Sequence, residues 1–283
     1  NPNAFTKKTI EETDEFIEKV RAAVKRVSPE KFLLGEVWED ATTKFGFNKR
    51  RTYLLGKGLD SVMNYPFKNA VLDFVKGKPA EQAMTEILTI CEHYPAPAMD
   101  TALNFLSTHD TERALTVIAD EPANGRGRAW QSGRCVTGDA YEEGLLRLRM
   151  AYAIIYTLPG VPCLYYGDEI AMQGYRDPFN RAFFRWDAHE QRLRPVLAQL
   201  AQLRHTCEAF RTGQLRVLRA EDGILHYQRV GKVETAEIIV NRTEHIIVET
   251  LASGKSTEVN PMGFTIVVEE VGHNPNHSYY DYV

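Results

Sequence analysis

Hydrophobic residues in the first 200 positions follow two patterns that alternate along the chain. Helical spacing of apolar residues covers segment 10–27, with a capping box at Thr9 and Glu12 and a stop at Ser28-Pro29. Four apolar runs that end in polar residues predict buried strands: KFLLGEVW, LDSVMNYPF, TALNFLSTHD and GVPCLYYGDEI. Helical patterns over 67–76, 79–93 and EEGLLRLRMAYAIIYTL lie between them. This alternation predicts parallel βαβ units.

The pattern changes after the helical segment LRPVLAQLAQLRHTCEAF. Short runs of alternating residues follow, separated by turn residues: QLRVLRA, ILHYQRV, AEIIVNR, HIIVETL and FTIVVEEV. They predict an antiparallel β domain of about 70 residues. We therefore divide the chain into an α/β part (1–207), a β domain (208–271) and a tail (272–283) without periodic signal, expected to be loosely held.

Composition and charge exclude several classes of protein. The chain is 43% hydrophobic and has a net charge of −4, so no basic field indicates nucleic acid or an anionic membrane as a partner. No apolar run approaches the length of a transmembrane helix, and no secretory signal opens the sequence. The four cysteines lack C-x-x-C spacing, so structural zinc is not expected, and their usage fits a reducing, cytoplasmic compartment.

Polar clusters stand at the exits of the four predicted strands. They are Glu36-Val37-Trp38, Asn64-Tyr65, His109-Asp110 and Gly167-Asp168-Glu169. In a parallel barrel, the carboxyl ends of the strands converge on one face, which carries the active site. A single polar strand exit is ordinary, but four in succession predict a site.

The same segments resemble the later barrel motifs of glycoside hydrolase family 13, the α-amylase family. The matching segments are FLLGEVWEDA, LDSVMNYPF, LNFLSTHDTER and GVPCLYYGDEIAMQGYRDPFNR, in the order that the family has them. The segments VMNYPF and GYRDPFNR are most similar to those of the cyclomaltodextrinase, neopullulanase and maltogenic amylase branch. The resemblance implies the second half of a (β/α)8 barrel, strands five to eight, followed by an antiparallel β-sandwich domain.

The resemblance places the family's general acid/base at Glu36. That group protonates the departing glycosidic oxygen and then deprotonates water, which calls for a carboxyl group in a partly desolvated site. Trp38 matches a stacking platform for a sugar on the leaving-group side; a residue that only closes the rim of the barrel is the alternative.

The resemblance implies that Asp110 and His109 bind one sugar together. Asp110 matches the carboxylate that grips sugar hydroxyls and gains effect as positive charge develops on the ring, and His109 matches a neighbouring hydrogen-bond donor. The alternatives are a helix N-cap at Asp110, because DTER could begin a helix, and a satisfied core histidine at His109.

Further candidates have a structural alternative beside the functional one. Asn64 and Tyr65 either line the pocket or form a turn with Pro66, and Asp168 and Glu169 are candidates for holding the strand–helix junction. Arg113 is expected to pair with acids on its own helix surface. The candidates for shaping the sugar site on the loop GYRDPFNR are Arg176, Asp177 and Arg181.

One element of the family's chemistry has no counterpart in this sequence. A retaining glycosidase needs a nucleophilic carboxylate about 5 Å from the acid/base. The family carries it in an R-x-D motif after the fourth strand, and no such motif precedes Asp14. A half barrel also exposes two strand edges and an apolar face. We therefore consider a fragment, a first half supplied by another chain, or a homo-oligomer in which two halves pair.

The functional expectation is an α-glucan hydrolase, or the C-terminal part of one. It would cleave α-1,4 bonds in maltooligosaccharides or cyclodextrins with retention of configuration, although this chain alone is expected to be inactive without the nucleophile. A carbohydrate-binding or structural fragment and a transglycosylase remain as alternatives, because hydrolysis and transfer share the same carboxylates. No organic cofactor is expected, since carboxylates suffice for this reaction, and calcium is not indicated by the sequence.

Overall fold

The computed structural model of the protein describes residues 7–46, 48–271 and 278–282. The helices are α1 (Lys7–Val27), α2 (Tyr65–Lys76), α3 (Ala80–His93), α4 (Ala96–Asp100), α5 (Ala114–Ala119), α6 (Arg128–Gln131), α7 (Asp139–Thr157), α8 (Leu193–Thr206) and α9 (Glu208–Thr212). Short 3-10 turns occupy Asp168–Ile170 and Phe179–Arg181. None of the helices in these ranges is both long and apolar enough to cross a membrane.

The strands fall into a parallel group and an antiparallel group. The strands are β1 (Leu34–Gly35), β2 (Phe45–Gly46), β3 (Lys49–Arg50), β4 (Ser61–Val62), β5 (Leu103–Asn104), β6 (Val161–Pro162), β7 (Gln214–Glu221), β8 (Ile224–Val230), β9 (Glu234–Asn241), β10 (Ile247–Thr250), β11 (Ser256–Val259), β12 (Gly263–Glu270) and β13 (Ser278–Tyr282).

The four predicted buried strands lie side by side and run parallel. β1 pairs with β4, Met63 after β4 bridges to Leu103 of β5, and β5 pairs with β6. The regular ladders are shorter than the apolar runs, because flanking residues such as Phe105 and Leu106 are buried without pairing in a strand. The parallel βαβ prediction is confirmed, and the polar ends of all four strands point to the same edge.

The two outer strands of this parallel group carry exposed apolar side chains. Leu34 on β1 is 37% exposed and Val161 on β6 is 42% exposed, and Phe32 before β1 is 50% exposed. Helices α2, α5 and α7 pack against one another and supply a large part of the core. The four strands are thus covered by helices but keep apolar residues open to solvent at both edges.

The strand–helix junction after β4 differs from the predicted turn. Asn64 caps α2, since its side chain accepts a hydrogen bond of 3.2 Å from the backbone N–H of Phe67, and Pro66 lies in the first turn. Gly77 follows the last residue of the helix. Its φ of +132° is a backbone conformation that glycine adopts readily and other residues rarely adopt. The Pro-marked segment therefore begins a helix instead of forming an isolated turn.

The C-terminal strands form an antiparallel sheet in the order β13-β12-β9-β8-β7. Side chains alternate between its two faces. Leu225, Ile238 and Ile266 join the core shared with the helices, whereas their neighbours Ile239 and Val267 pack with the β10–β11 hairpin on the other face. Burial on both faces therefore fixes the register of β8, β9 and β12.

Two features of the C-terminal region were not predicted. β11 is a strand that the pattern did not indicate, and β13 pairs with β12 from Val268↔Ser278 to Phe264↔Tyr282. The prediction of a loosely held tail is therefore wrong for 278–282, where three tyrosines favour a strand; residues 272–277 and 283 lie outside the described residues.

Buried hydrogen bonds join the sheet to the end of α7. Tyr227 and Thr157 share a hydroxyl–hydroxyl bond of 2.6 Å. Arg229, which is 1% exposed, donates to the Thr157 carbonyl oxygen at 2.7 Å and to the Gly213 carbonyl oxygen. These contacts fix the sheet against the helix that precedes β6.

A buried lysine in α2 gives a prediction about stability. Burial lowers the pKa of Lys68 to about 8 from 10.5, although Glu112 and Asp73 oppose the shift. Lys68→Met is expected to raise the free energy of unfolding at pH 7 by about 2–3 kcal/mol, because a buried ammonium no longer has to be accommodated. Urea unfolding measures the change.

The pH dependence and a control test this interpretation of Lys68. The unfolded chain holds the Lys68 proton up to a pKa near 10.5, so the gain should shrink as pH rises from about 8 to 10.5. Lys76→Met, at an exposed position of the same helix, should leave the free energy of unfolding nearly unchanged. A loss of stability in Lys68→Met at pH 7 would contradict the prediction.

Candidate active site

Glu36 follows β1 directly and is held by two aromatic side chains. Its Oε1 accepts a hydrogen bond of 2.8 Å from Tyr65 Oη and one of 3.1 Å from Trp38 Nε1. Trp38 stacks on Tyr65 with ring centroids 4.4 Å apart and planes 11° apart, and Tyr65 meets Phe105 edge-on. Two donors on one oxygen fix the orientation of the carboxylate.

The surroundings of Glu36 differ from the expectation. A partly desolvated carboxyl group was predicted, but Glu36 is exposed, because the open side of the sheet leaves it uncovered. Trp38 is 48% exposed, since one ring face rests on Tyr65. The indole is thus placed at the rim with part of its surface available to a ligand.

His109 and Asp110 lie in a turn after β5 and form the second cluster. His109 Nε2 is 3.1 Å from Asp110 Oδ2, and Arg181 Nη2 donates to Asp110 Oδ1 at 3.1 Å. Arg181 Nε also donates to the backbone carbonyl oxygen of His109 at 2.9 Å. The two side chains are exposed by 55% and 35%, so the cluster is open to a ligand.

Both structural alternatives for this pair are excluded by the geometry. Helix α5 begins at Ala114 with Arg113 at its N-cap position, so Asp110 does not cap it. His109 is exposed and is therefore no core histidine. The polar atoms of the two side chains are directed to one another, and the Asp110 carboxylate also meets Arg181.

Tyr65 connects the two clusters. Its hydroxyl bonds to Glu36, and both Thr108 and the negative charge of Asp110 influence its pKa. Burial is the largest cause that raises the pKa of Tyr65, and the charges of Glu36 and Asp110 raise it further. Glu36 and the His109–Asp110 turn therefore share one face around a protonated phenol.

The other predicted site residues differ in burial: Asn64 is buried, whereas Arg176 and Asp177 are exposed. Asn64 is fully buried, with its Nδ2 bonded to Asn104 Oδ1 at 2.9 Å, so the structure assigns it to the strand–helix junction and not to the sugar-binding surface. Asp177 Oδ1 forms an ion pair with Arg181 Nε at 3.4 Å, and Arg176 Nε lies 3.8 Å from Glu112 Oε1. Both Arg176 and Asp177 are exposed at the edge of the second cluster.

A buried ion pair underlies the second cluster and corrects the expectation for Arg113. Arg113 is fully buried and donates from Nη1 to Asp168 Oδ1 at 3.1 Å and to the Tyr166 carbonyl oxygen at 2.7 Å. Its guanidinium also lies 4.8 Å from the ring centroids of Tyr165 and Tyr166. The residue therefore pairs across the strands and not on its own helix surface, because its partner lies 55 positions along the chain.

Asp168 is held inside the protein by several donors. Tyr152 Oη donates to Asp168 Oδ2 at 2.6 Å. Burial raises the pKa of Asp168 to about 6, and the hydrogen bonds from Ser107 and Tyr152 and the charge of Arg113 oppose that shift. The adjacent Gly167 has a φ of +86°, and an added Cβ would lie 2.2 Å from Met172 Sδ, so only glycine fits there. Asp168 therefore has a structural role, as the sequence predicted.

The sequence interpretation missed one residue that contacts the second cluster. Asn180 lies between Asp177 and Arg181 in the sequence and is fully buried. Its side chain donates to backbone carbonyl groups of the turn that carries His109 and Asp110. The only available signal was its place inside the GYRDPFNR segment. Among the described residues, no group of three or more His, Cys, Asp or Glu side chains is arranged to hold a metal ion.

A family model described as the catalytic domain of alpha-amylase matches residues 3–213. The chain belongs to the α-amylase family, and the resemblance drawn from its strand-end motifs is confirmed. The fold is accordingly of the TIM-barrel type with a C-terminal sheet.

Curated relatives extend the same result. The chain is 32% identical over 235 residues to a cyclomaltodextrinase of Geobacillus thermopakistaniensis, covering 81% of this chain and 34% of the relative. It is 31% identical over 225 residues to an amylopullulanase of Thermoanaerobacter thermohydrosulfuricus, covering 74% of this chain and 14% of the relative. The chain thus spans about a third or less of the length of these two relatives.

Solved structures show the same fold. The ligand-free cyclic α-maltosyl-(1→6)-maltose hydrolase of Arthrobacter globiformis matches with a TM-score of 0.75 and 23% identity, covering 91% of this chain and 53% of that one. A cyclomaltodextrinase matches with a TM-score of 0.69 and 29% identity, covering 84% of this chain and 36% of that one.

Proposed function

We propose that this chain carries the acid/base half of an α-glucan hydrolase active site, acting on α-1,4 bonds of maltooligosaccharides or cyclodextrins with retention of configuration. The observation that carries the proposal is the arrangement of Glu36, fixed by Tyr65 and Trp38, on one face with the His109–Asp110–Arg181 cluster. A relative named cyclomaltodextrinase, with 32% identity, supports this substrate class.

Each side chain has a defined part in the proposed reaction. Glu36 would protonate the departing glycosidic oxygen and then take a proton from water. Trp38 would stack on the sugar of the leaving group through its exposed ring surface. Asp110, with its negative charge near the reacting sugar, would hold hydroxyl groups and stabilise the positive charge that develops on the ring, while His109 donates a hydrogen bond to the same sugar.

The proposal also assigns the parallel strands to the second half of the barrel. β1, β4, β5 and β6 would be barrel strands five to eight, which accounts for the exposed apolar residues on the two outer strands. The nucleophilic carboxylate would then belong to the first half of the barrel, after the fourth strand. Pairing with a first barrel half would cover Leu34 and Val161 and complete the catalytic pair.

The unpaired cysteines of the described residues fit the cytoplasmic location that we propose.

A carbohydrate-binding function without catalysis is the second candidate. It applies where no nucleophilic carboxylate is supplied beside Glu36, while the Glu36 and His109–Asp110 clusters favour sugar binding in either case. Transfer of the sugar to an acceptor other than water uses the same side chains and remains within the first candidate.

Calorimetry with maltotriose tests the sugar-binding part of the proposal. Asp110→Asn is expected to weaken the affinity of the chain about ten- to a hundredfold, since a charged acceptor of sugar hydroxyl groups is lost. Asp73→Asn is a matched control, because Asp73 is an exposed carboxylate of α2 that pairs with Lys78. Absence of maltotriose binding by the unchanged chain, or equal affinities in the two variants, would contradict the proposal.

A further inference from the structure

Asn180 is a buried amide whose nitrogen is surrounded by backbone carbonyl groups. Its Nδ2 lies 2.7 Å from the His109 oxygen, 2.7 Å from the Thr111 oxygen and 3.3 Å from the Thr108 oxygen. Two N–H groups thus serve three acceptors, all in the turn that carries His109 and Asp110. The side chain is fully buried, so it does not contact a ligand itself.

The turn has few strong hydrogen bonds of its own. The Thr111 N–H donates to the Thr108 carbonyl oxygen at 3.4 Å, and the Asp110 N–H donates to Thr108 Oγ1 at 3.2 Å. Both distances are at the long end for hydrogen bonds. The carbonyl groups of the turn therefore depend on donors from the segment that contains Asn180.

The hydrogen bonds of the Asn180 amide are made by Nδ2 and not by Oδ1. Its Oδ1 is buried and has no hydrogen-bond partner among the residues that the structure describes. A buried polar atom without a partner is unfavourable, so its presence calls for a compensating contact. The three carbonyl groups at Nδ2 provide that contact. An apolar side chain of similar size would take the donor from the Thr111 carbonyl oxygen and leave the His109 and Thr108 carbonyl oxygens with only the bonds from Arg181 and the Thr111 N–H.

The segment around Asn180 is itself anchored next to the turn. Gly174 donates to Thr116 Oγ1 at 2.8 Å and accepts from the Arg113 N–H at 2.9 Å. An added Cβ at Gly174 would lie 2.4 Å from the Phe179 carbonyl oxygen, so the chain folds closely on itself here. Asn180 thus projects from a fixed base, whereas the adjacent Arg181 bonds to the exposed side of the same turn.

We infer that Asn180 is a positioning residue, which sets the direction of the His109 and Asp110 side chains by holding the backbone from which they project. The inference rests on the proposed function in one respect, namely that these two side chains bind the sugar. Loss of the amide should let the turn change shape without removing any group that would touch the ligand.

A second asparagine in the chain supplies a matched control. Asn241 is also fully buried, and its Nδ2 bonds to the carbonyl oxygens of His245, Val259 and Asn260 at 2.8, 3.1 and 3.0 Å. It lies in the C-terminal sheet, at the end of β9. Asn241→Ala and Asn180→Ala therefore remove the same kind of anchor from two different regions.

The test compares hydrogen–deuterium exchange and maltotriose affinity in the two variants of the full chain. Both variants should lower the melting temperature. Asn180→Ala alone should speed amide exchange in segment 107–114 by about tenfold and weaken maltotriose binding by about tenfold, as expected for lost hydrogen bonds that hold the turn. Asn241→Ala should leave both quantities unchanged. Asn180→Ser, which keeps one hydroxyl donor, replaces Asn180→Ala if the alanine variant does not fold.

The two kinds of failure can be told apart. Unchanged exchange in segment 107–114 of the Asn180 variant overturns the positioning role, as does an equal loss of affinity in the Asn241 variant. If the unchanged chain does not bind maltotriose, the proposed function fails, whereas the exchange comparison still decides whether Asn180 holds the turn.

Discussion

In a fusion that supplies the nucleophile from a first barrel half, replacing Glu36 by Gln is expected to lower the rate of reducing-sugar release from maltotriose and β-cyclodextrin by about 10²- to 10⁴-fold. Gln keeps the shape of Glu36 and an oxygen that can accept from Tyr65 and Trp38, but it cannot transfer a proton. Maltotriose affinity should therefore stay within about threefold of the unchanged chain, because charge is not what Glu36 contributes to ground-state binding. A loss of rate with retained affinity is the signature of a proton donor.

The assay needs a control for the substitution and a source of the nucleophile. Glu39→Gln provides the first, because Glu39 is an exposed neighbouring glutamate that pairs with Lys44 at 2.7 Å. The second is a fusion of this chain behind the N-terminal part of the Geobacillus cyclomaltodextrinase, assayed beside the chain alone. Sugar release by the fusion but not by the chain alone supports an external nucleophile, and full activity of Glu36→Gln in either form rules out Glu36 as the acid/base.

The sequence predicted the parallel strands and the two polar clusters because these depend on local patterns. An apolar run followed by Glu36, or by His109 and Asp110, is visible within ten residues. Strand pairing then brings such exits to one edge, as the β1–β4 and β5–β6 ladders show. Direction was harder to predict than position, since Asn64 also follows a strand but faces the interior as a helix cap.

Long-range partners explain what the sequence did not show. Arg113 looks like a helix-surface residue until Asp168, 55 positions later, is placed beside it. Asn180 contacts a turn that lies about 70 positions earlier, and nothing in its own neighbourhood indicates the three carbonyl groups it meets. The strand at 278–282 likewise depends on an open edge of β12 and not on a periodic pattern.

Replacing Arg113 by Met should lower the free energy of unfolding at pH 7.5 by about 3–5 kcal/mol, because it leaves the Asp168 carboxylate buried without its cation. That change is a large part of the total stability of a typical domain. Urea unfolding followed by tryptophan fluorescence measures it. The double variant Arg113→Met/Asp168→Asn should recover part of the loss, since the buried charge is then removed as well.

The pH dependence distinguishes a lost ion pair from a packing defect. Asp168 has a pKa of about 6 in the folded protein and 3.8 as its usual value, so folding favours its protonated form. The raised pKa of Asp168 therefore contributes to the free energy of unfolding. That contribution is fully present below pH 3.8 and is lost as pH rises through 6. Removing Arg113, which lowers the pKa of Asp168, should extend that loss to higher pH, so the variant should be less destabilised at pH 5 than at pH 7.5. Arg229→Met is the control, because Arg229 is equally buried but bonds to the carbonyl oxygens of Thr157 and Gly213. An identical pH dependence in the two variants would contradict the assignment of the Arg113–Asp168 pair as the cause.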